Sequence, residues 1–308
     1  MNSKMTLLTK DNYKKLQQYI NMIYPNYYIS ALNLYLWKHY GLEIYYIYES
    51  DVIFIYIKII KDKLIINNNE INNFYILRPI IKKNEISYPY FIKAIDYIKP
   101  FLKGVNALYL DRVFASDLKY LKNYSIVSNS DSSYIYHTNK LKGFPGKKMQ
   151  KKRNLYNFYS KNYGKDTTFV FYNGTQNKEI LSYVKNHIIQ NQGYLREYEY
   201  NYIKNLLYCN DSNLSGLLMY YKDELIGVTI GYSRNDIYEI FLEKASKNYK
   251  GSYQYLLSNN LEKNNIEQIY VDRQDSERQE GLEQSKKSYK PYYIVNTYLV
   301  KVDFHGIK

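Results

Sequence analysis

The chain has 308 residues and a formal net charge of +14 at pH 7, enough length for one large core or two of about 150 residues each. Tyr, Ile, Asn and Lys dominate it, while one cysteine and four scattered histidines (39, 137, 187 and 305) exclude a disulfide framework and any recognisable metal spacing. The opening MNSKMTLLTKDNYKK lacks the apolar core of a signal peptide, and VIFIYIKII at 52–60 is far shorter than the ~20 residues of a spanning helix, so a soluble cytoplasmic chain is expected.

In chain order, residues 11–24 carry apolar Tyr13, Leu16, Ile20 and Ile23 at helical spacing, with Pro25 as the stop. Segments 44–48, 52–60 and 63–66 are β-branched and aromatic with charged turns between them, which predicts a meander of strands. Ser87 followed by Pro89 opens a helix to about Leu102, closed by Gly104. In 147–158, Met149, Leu155 and Phe158 form a predicted inward stripe. A strand at 167–172 and helices at 177–190 and 197–208 follow. Cys209, at the end of that second helix, has the place of a small buried hydrophobe rather than of a nucleophile. Three strands are then expected at 216–221, 225–232 and 237–244, with KDE and SRND supplying hairpin turns. Lys250-Gly251 precedes a helix over 252–263, then a strand at 268–272, a charged helix, and one last strand over 292–300.

Charge is unevenly spread. GKKMQKKRN (146–154) holds five cations, and no carboxylate occurs between Asp131 and Asp166. A solvated helix start would explain such a run, but unneutralised cations this close repel one another, and an anionic partner relieves that repulsion. Lys147, Lys148, Lys151, Lys152 and Arg153 are therefore candidate phosphate contacts, with Arg153 foremost because a planar guanidinium grips phosphate with two bonds.

The order of the second half, an antiparallel meander leading through a glycine-marked helix start to another strand, is the core of a GNAT-type acyltransferase fold. In that setting Lys250 and Gly251 would place helix-terminal N–H groups on a phosphate or pyrophosphate. The usual phosphate loop carries two glycines, whereas YKGSYQ has one.

Four stretches together extend the match: ALNLYLWKHY (31–40), DSSYIYHTNKLKGFPGKKMQKKRNLYNFYSKNY (131–163), IFLEKASKNYKGSYQ (240–254) and VDRQDSERQEGLEQSKKSYKP (271–291). In this order they resemble the family formed by the C-terminal domain of phosphatidylglycerol lysyltransferase and its stand-alone relatives. The resemblance implies an α+β (α/β) chain of two tandem GNAT-like acyltransferase domains, with mixed, mostly antiparallel sheets flanked by helices. The expected division is 1–138 and 139–308, the second domain led by the basic segment 139–165. The best-known members transfer an aminoacyl group from aminoacyl-tRNA to a lipid hydroxyl. Relatives carry Asn-Arg-Glu-x-Asp-Leu-Gly, then Gly-Leu-Arg, where this chain has Asp272, Arg273, Gln274, Asp275, Ser276, Glu277 and Arg278, then Gly281, Leu282 and Glu283. Arg273, Gly281, Leu282, Lys286, Ser288, Tyr289 and Pro291 are kept; an acid, a glycine and an arginine are missing.

The expected chemistry is acyl transfer by direct attack, which needs a base and a group to hold the developing oxyanion. Glu243 is the candidate base. Lys244 or strand N–H groups would serve the oxyanion, although neighbours on a strand point opposite ways and one of the two should be structural. Asp275 completes the catalytic candidates, against the plainer reading of a mixed-charge surface helix. Arg273 and Lys286 are candidates for holding the donor, and Tyr253 and Tyr289 for stacking on its terminal base. The expected partner is tRNA, with an anionic lipid surface as a peripheral one, and with no metal and no cofactor beyond the donor. Two rivals stand beside this reading: an acetyl-CoA-dependent N-acetyltransferase, and a non-catalytic member that only binds RNA or an anionic membrane.

Overall fold

Apolar spacing alone accounts for the first helix of the computed structural model, which describes residues 5–25, 28–60, 64–66, 69–71, 74–82, 88–101, 107–130, 132–194, 196–275 and 279–303. Strand β1 (Thr6–Leu7) leads to α1 (Tyr13–Ile23), whose buried face includes Tyr13, Leu16, Ile20 and Ile23. Helix α2 (Ala31–Leu36) follows, its N-terminus capped by Ser30, which accepts the Asn33 N–H at 3.1 Å. Then come β2 (Leu42–Glu49), β3 (Val52–Ile59), β4 (Leu64–Ile66), β5 (Asn69–Ile71), β6 (Phe74–Leu77), β7 (Ile80–Ile81), α3 (Tyr88–Ile98), β8 (Ala107–Val113) and β9 (Tyr124–Asn129). The predicted start of α3 at Ser87 and its stop at 102–104 lie outside the described residues.

The chain then builds β10 (Ser133–His137), α4 (Thr138–Leu141), α5 (Gln150–Tyr163), β11 (Thr167–Phe171), α6 (Asn177–Gln192), α7 (Glu197–Leu207), β12 (Leu214–Tyr221), β13 (Glu224–Arg234) and β14 (Ile237–Ala245). It continues through α8 (Ser252–Lys263), β15 (Tyr270–Asp272), α9 (Glu280–Ser288) and β16 (Tyr293–Val295) to β17 (Tyr298–Asp303). Two sheets result. The first runs β1-β2-β3-β6-β8-β17-β9, with β7 also on β3, and the second runs β11-β12-β13-β14-β15-β10-β16. Each contains one parallel pair, β6 with β8 and β14 with β15, and each pair is joined through a helix. This is the expected α+β class.

The units divide differently from the 1–138 and 139–308 expectation. The first comprises Met1–Asp131 and Asn296–Lys308, and the second Ser132–Val295. The cause is that the single strand expected over 292–300 is two. Tyr293–Val295 pairs with β10 in the second sheet, while Tyr298–Asp303 pairs with β8 and β9 in the first. Two short β-forming runs separated by Asn296 and Thr297 thus belong to different sheets.

Two irregularities of β14 shape the second unit. Its register against β13 jumps from Ile230–Leu242 to Gly231–Ile240, leaving Phe241 unmatched as a β-bulge. Its pairing with β15 covers only Ile237–Glu239, so among the described residues the edge from Ile240 to Ala245 has no strand beside it. The sheet splays there, and α8 packs over the face carrying Tyr238 and Ile240.

Candidate active site

The bulge decides which way Glu243 points. An unbroken strand would put Glu243 on the face of Glu239; the extra residue restores Glu243 and Ala245 to the face of Ile240, under α8. There Glu243 Oε1 accepts a hydrogen bond from Arg273 Nη2 at 2.6 Å, so the ion pair spans the splayed gap. Lys244 is sent to the opposite face, where its ammonium bonds Glu199 of α7 at 2.6 Å. This corrects the expectation that Lys244 could serve the oxyanion: the pleat gives Glu243 to the cleft and Lys244 to a supporting ion pair.

The Arg273 guanidinium lies 4.4 Å from the Tyr289 ring centre, and the Lys152 ammonium lies 4.0 Å from the same ring. Tyr289 is buried, its hydroxyl accepting from Gln254 at 2.6 Å. It therefore forms the floor of the site rather than a free surface for stacking on a base, contrary to expectation. Tyr253 places its hydroxyl 3.4 Å from His187 Nε2, and burial raises its pKa. His187 itself is pushed below the ordinary imidazole range, first by burial and then by the Lys244 charge.

Three buried polar atoms in this cleft have no hydrogen-bond partner: Glu243 Oε2, Arg273 Nη1 and Thr229 Oγ1. Thr229 is the register partner of Glu243 across β13 and β14, so the two side chains share a face. Sequence reading missed Thr229. Only the pairing of the hairpin, with its bulge, brings it beside Glu243.

The basic run divides by helical phase. Lys147, Lys148 and Lys151 are exposed, whereas Lys152 turns inward to Tyr289. Burial first, and the Arg273 charge second, bring its ammonium down to about 8. Arg153, the foremost phosphate candidate, instead spends Nη1 on the carbonyls of Phe144 (2.8 Å) and Gly146 (3.0 Å), tying the loop before α5. The inward stripe is Met149, Tyr156 and Tyr159; Leu155 is half-buried and Phe158 exposed, shifted from the predicted phase.

Lys250 is exposed, with its ammonium 4.9 Å from the Phe158 ring centre. Gly251 has φ +92°, and a Cβ there would stand 2.1 Å from the Leu155 carbonyl oxygen. Glycine is required at this position because α5 passes against the turn. That contact explains the residue without any phosphate.

Lys286 is not an outward charge either. Its ammonium donates to the carbonyls of Arg273 and of Gln274, the latter at 3.1 Å, and burial brings it down to about 8. Asp275 lies in the following loop, where its charge acts on Lys286. Ser276, Glu277 and Arg278 lie outside the described residues. Cys209 is buried, as expected of a small hydrophobe. Among the described residues, no helix is long and apolar enough to cross a membrane.

Comparison with known proteins bears on the family and the fold. The family model described as "Phosphatidylglycerol lysyltransferase, C-terminal" matches residues 110–301. An uncharacterised protein of Mycoplasmoides gallisepticum, MYCGA3080, is 32% identical over 314 residues, covering 97% of this chain and 99% of its own length. A conserved protein of unknown function from Bacteroides thetaiotaomicron superposes with a TM-score of 0.77 at 17% identity, covering 98% of this chain and all of its own. The C-terminal domain of a putative lysylphosphatidylglycerol synthetase from Agrobacterium fabrum gives 0.60 at 10% identity over 94% and 92% of the two chains. A tandem GNAT protein from the clavulanic acid biosynthesis pathway gives 0.50 at 7% identity over 97% and 98%. The fold is thus the tandem GNAT-like one.

Proposed function

The chain belongs to the phosphatidylglycerol lysyltransferase C-terminal family, of acyltransferase type, and from that premise we propose that it transfers an aminoacyl group from aminoacyl-tRNA to a lipid or small-molecule acceptor by direct attack. The observation that carries this reading is the set of buried, unpartnered atoms at Glu243 on the splayed edge of β14, Thr229 on β13 and Arg273 just after β15. A carboxylate oxygen able to take a proton stands beside a guanidinium N–H able to hold an oxyanion. Those are the two services that acyl transfer from an ester requires.

In the proposed step the acceptor hydroxyl or amine attacks the donor ester carbonyl and gives its proton to Glu243. Arg273 Nη1 donates to the oxygen that gains charge. As the tetrahedral adduct collapses, the new ester or amide forms. The ribose hydroxyl of the donor then leaves with the proton returned from Glu243. The donor arrives already activated, so the reading needs no further cofactor.

The exposed cations Lys147, Lys148 and Lys151 favour a polyanionic donor, and the same charges suit an approach to an anionic membrane surface. The acetyl-CoA alternative loses its main support, since the packing of α5 accounts for Gly251. The test is incubation of purified protein with radiolabelled aminoacyl-tRNA and a lipid extract. A labelled product that requires both Glu243 and Arg273 supports the reading. Consumption of acetyl-CoA with charged tRNA left untouched overturns it.

A further inference from the structure

Beneath the cleft, on the other face of the sheet, lies a second buried polar chain that the proposed reaction does not use. Arg234 Nε donates to Glu239 Oε2 at 3.2 Å, and Gln274 Nε2 donates to Glu239 Oε1 at 2.9 Å. Asp272 Oδ1 accepts the backbone N–H of Gln274 at 2.7 Å. Glu239 and Asp272, both fully buried, are register partners across the parallel strands β14 and β15.

This chain sits under one short turn. Gln274 has φ +58°, a left-handed conformation that a glutamine adopts only when neighbouring groups hold it there. The Asp272 bond is an Asx turn, which closes the backbone around residue 273. From the opposite side Lys286 bonds the carbonyls of Arg273 and Gln274. Between these two holds projects the side chain of Arg273, aimed at Glu243.

We propose that Asp272 is the positioning residue of the site: its carboxyl closes the turn, and the Gln274–Glu239–Arg234 chain locks it, so that Arg273 is presented to the cleft in one orientation. The Asp272 carboxylate oxygen accepts the turn bond, while the amide of Gln274 donates to Glu239, which a glutamate at 274 would repel.

The carboxyl also titrates in an unusual range. Burial first, and Glu239 second, raise Asp272 to about 7. The groups acting on it come from every neighbouring element: Glu239 from β14, Arg234 from β13, Lys286 from α9 and the Gln274 N–H. On β10, His137 lies two positions beyond Ile135, the register partner of Asp272. Because the folded pKa is raised, the folded state holds more protons between pH 4 and 7, and stability declines as pH rises through that window.

The role rests on the reading of Arg273 given above, so its test uses a readout independent of turnover. Arginines of the full-length protein are modified with phenylglyoxal and the rate at each site is followed by peptide mass. We expect Arg273 to react slowly in the wild type and at least severalfold faster in Asp272→Ala, with Arg153 and Arg196 unchanged. Asp272→Asn, which keeps the acceptor oxygen, should restore the slow rate and remove the decline in melting temperature between pH 4 and 7. Should Asp272→Ala fail to fold, Gln274→Ala cuts the lock and should accelerate Arg273 in the same way. Wild-type Arg273 rates in the folded variants overturn the proposal, as does acceleration of all arginines in step. Absence of transferase activity in a protein that gives the expected modification pattern would refute the functional reading alone.

Discussion

Each half of the molecule contains an arginine of low exposure, paired with a carboxylate and stacked on an aromatic ring, and the two differ in what is left over. In the first unit Arg78 bonds Asp117 through Nε (2.5 Å) and Nη2 (3.3 Å), gives Nη1 to the Pro79 carbonyl (3.2 Å), and lies 4.9 Å from the Phe114 ring. Asp117 in turn accepts the Phe114 N–H at 3.0 Å. In the second unit Arg273 makes one bond to Glu243, and each partner keeps an unpaired buried atom. The Arg78–Asp117 pair spends its bonds within the frame, whereas the Arg273–Glu243 pair keeps an unused donor and an unused acceptor on the α8 face of the splayed sheet.

The strand lengths explain the contrast. In the first sheet β6 pairs with β8 over Tyr75–Leu77 and then ends, with Pro79 following. In the second, β14 pairs with β15 over three residues and runs on to Ala245 without β15 beside it. The extra length carries the bulge and Glu243. Similar strand orders thus give one sheet whose inner strand stops with its parallel partner and one whose inner strand runs on past it.

The strongest way to break this comparison is Glu243→Gln, which should lower turnover by roughly 10²–10⁴-fold, the span of a missing proton-transfer group. The melting temperature should stay near that of the wild type; a comparable loss of stability would make the second pair a structural one like the first. Asp117→Ala should do the reverse. Stranding Arg78 in the first unit costs about 3–5 kcal/mol in chemical denaturation, while turnover per folded molecule is preserved. If that variant loses turnover without losing stability, the division of roles between the two arginines is wrong.

Lys152 sharpens the picture through pH. With its pKa down at about 8, the ammonium is charged below that pH, and its unfavourable burial weighs on stability there and is relieved as pH rises from about 8 toward 10.5. Donor binding should weaken as pH passes 8. Lys152→Met should remove that limb, lower affinity roughly tenfold at pH 7, about 1.4 kcal/mol, and slightly raise the melting temperature. The smallest effect belongs to the exposed cations. Replacing Lys147, Lys148 or Lys151 by Ala should each reduce the log–log salt slope of tRNA binding by ~0.7–0.9 for every phosphate that the ammonium had neutralised, leaving stability alone.

Most of the second unit was legible in the residues because its helices and hairpins obey local periodicity. Helix α8 begins and ends at the predicted positions, and the three strands of the meander differ from expectation by only a few residues at each end. Glu243, Arg273 and Lys286 are candidates on residue type and position alone, which says nothing of their geometry. A bulge has no signature in alternating apolar residues, so the facing of Glu243, and with it the place of Thr229, could be known only from the pairing of β13 with β14. Arg153 was overvalued because charge density says nothing about which cations the backbone carbonyls claim. The run over 292–300 reads as one strand because both halves are β-forming, and Asn296-Thr297 between them is too short a polar break to announce a change of sheet.

That change of sheet carries a consequence for how the protein is born. Strand β17, which fills the gap between β8 and β9, is translated after every residue of the second unit. On the ribosome the later-made half can therefore complete itself while the earlier one waits with two unzipped borders for its final ribbon. Losing that ribbon should wreck the half that was synthesised first.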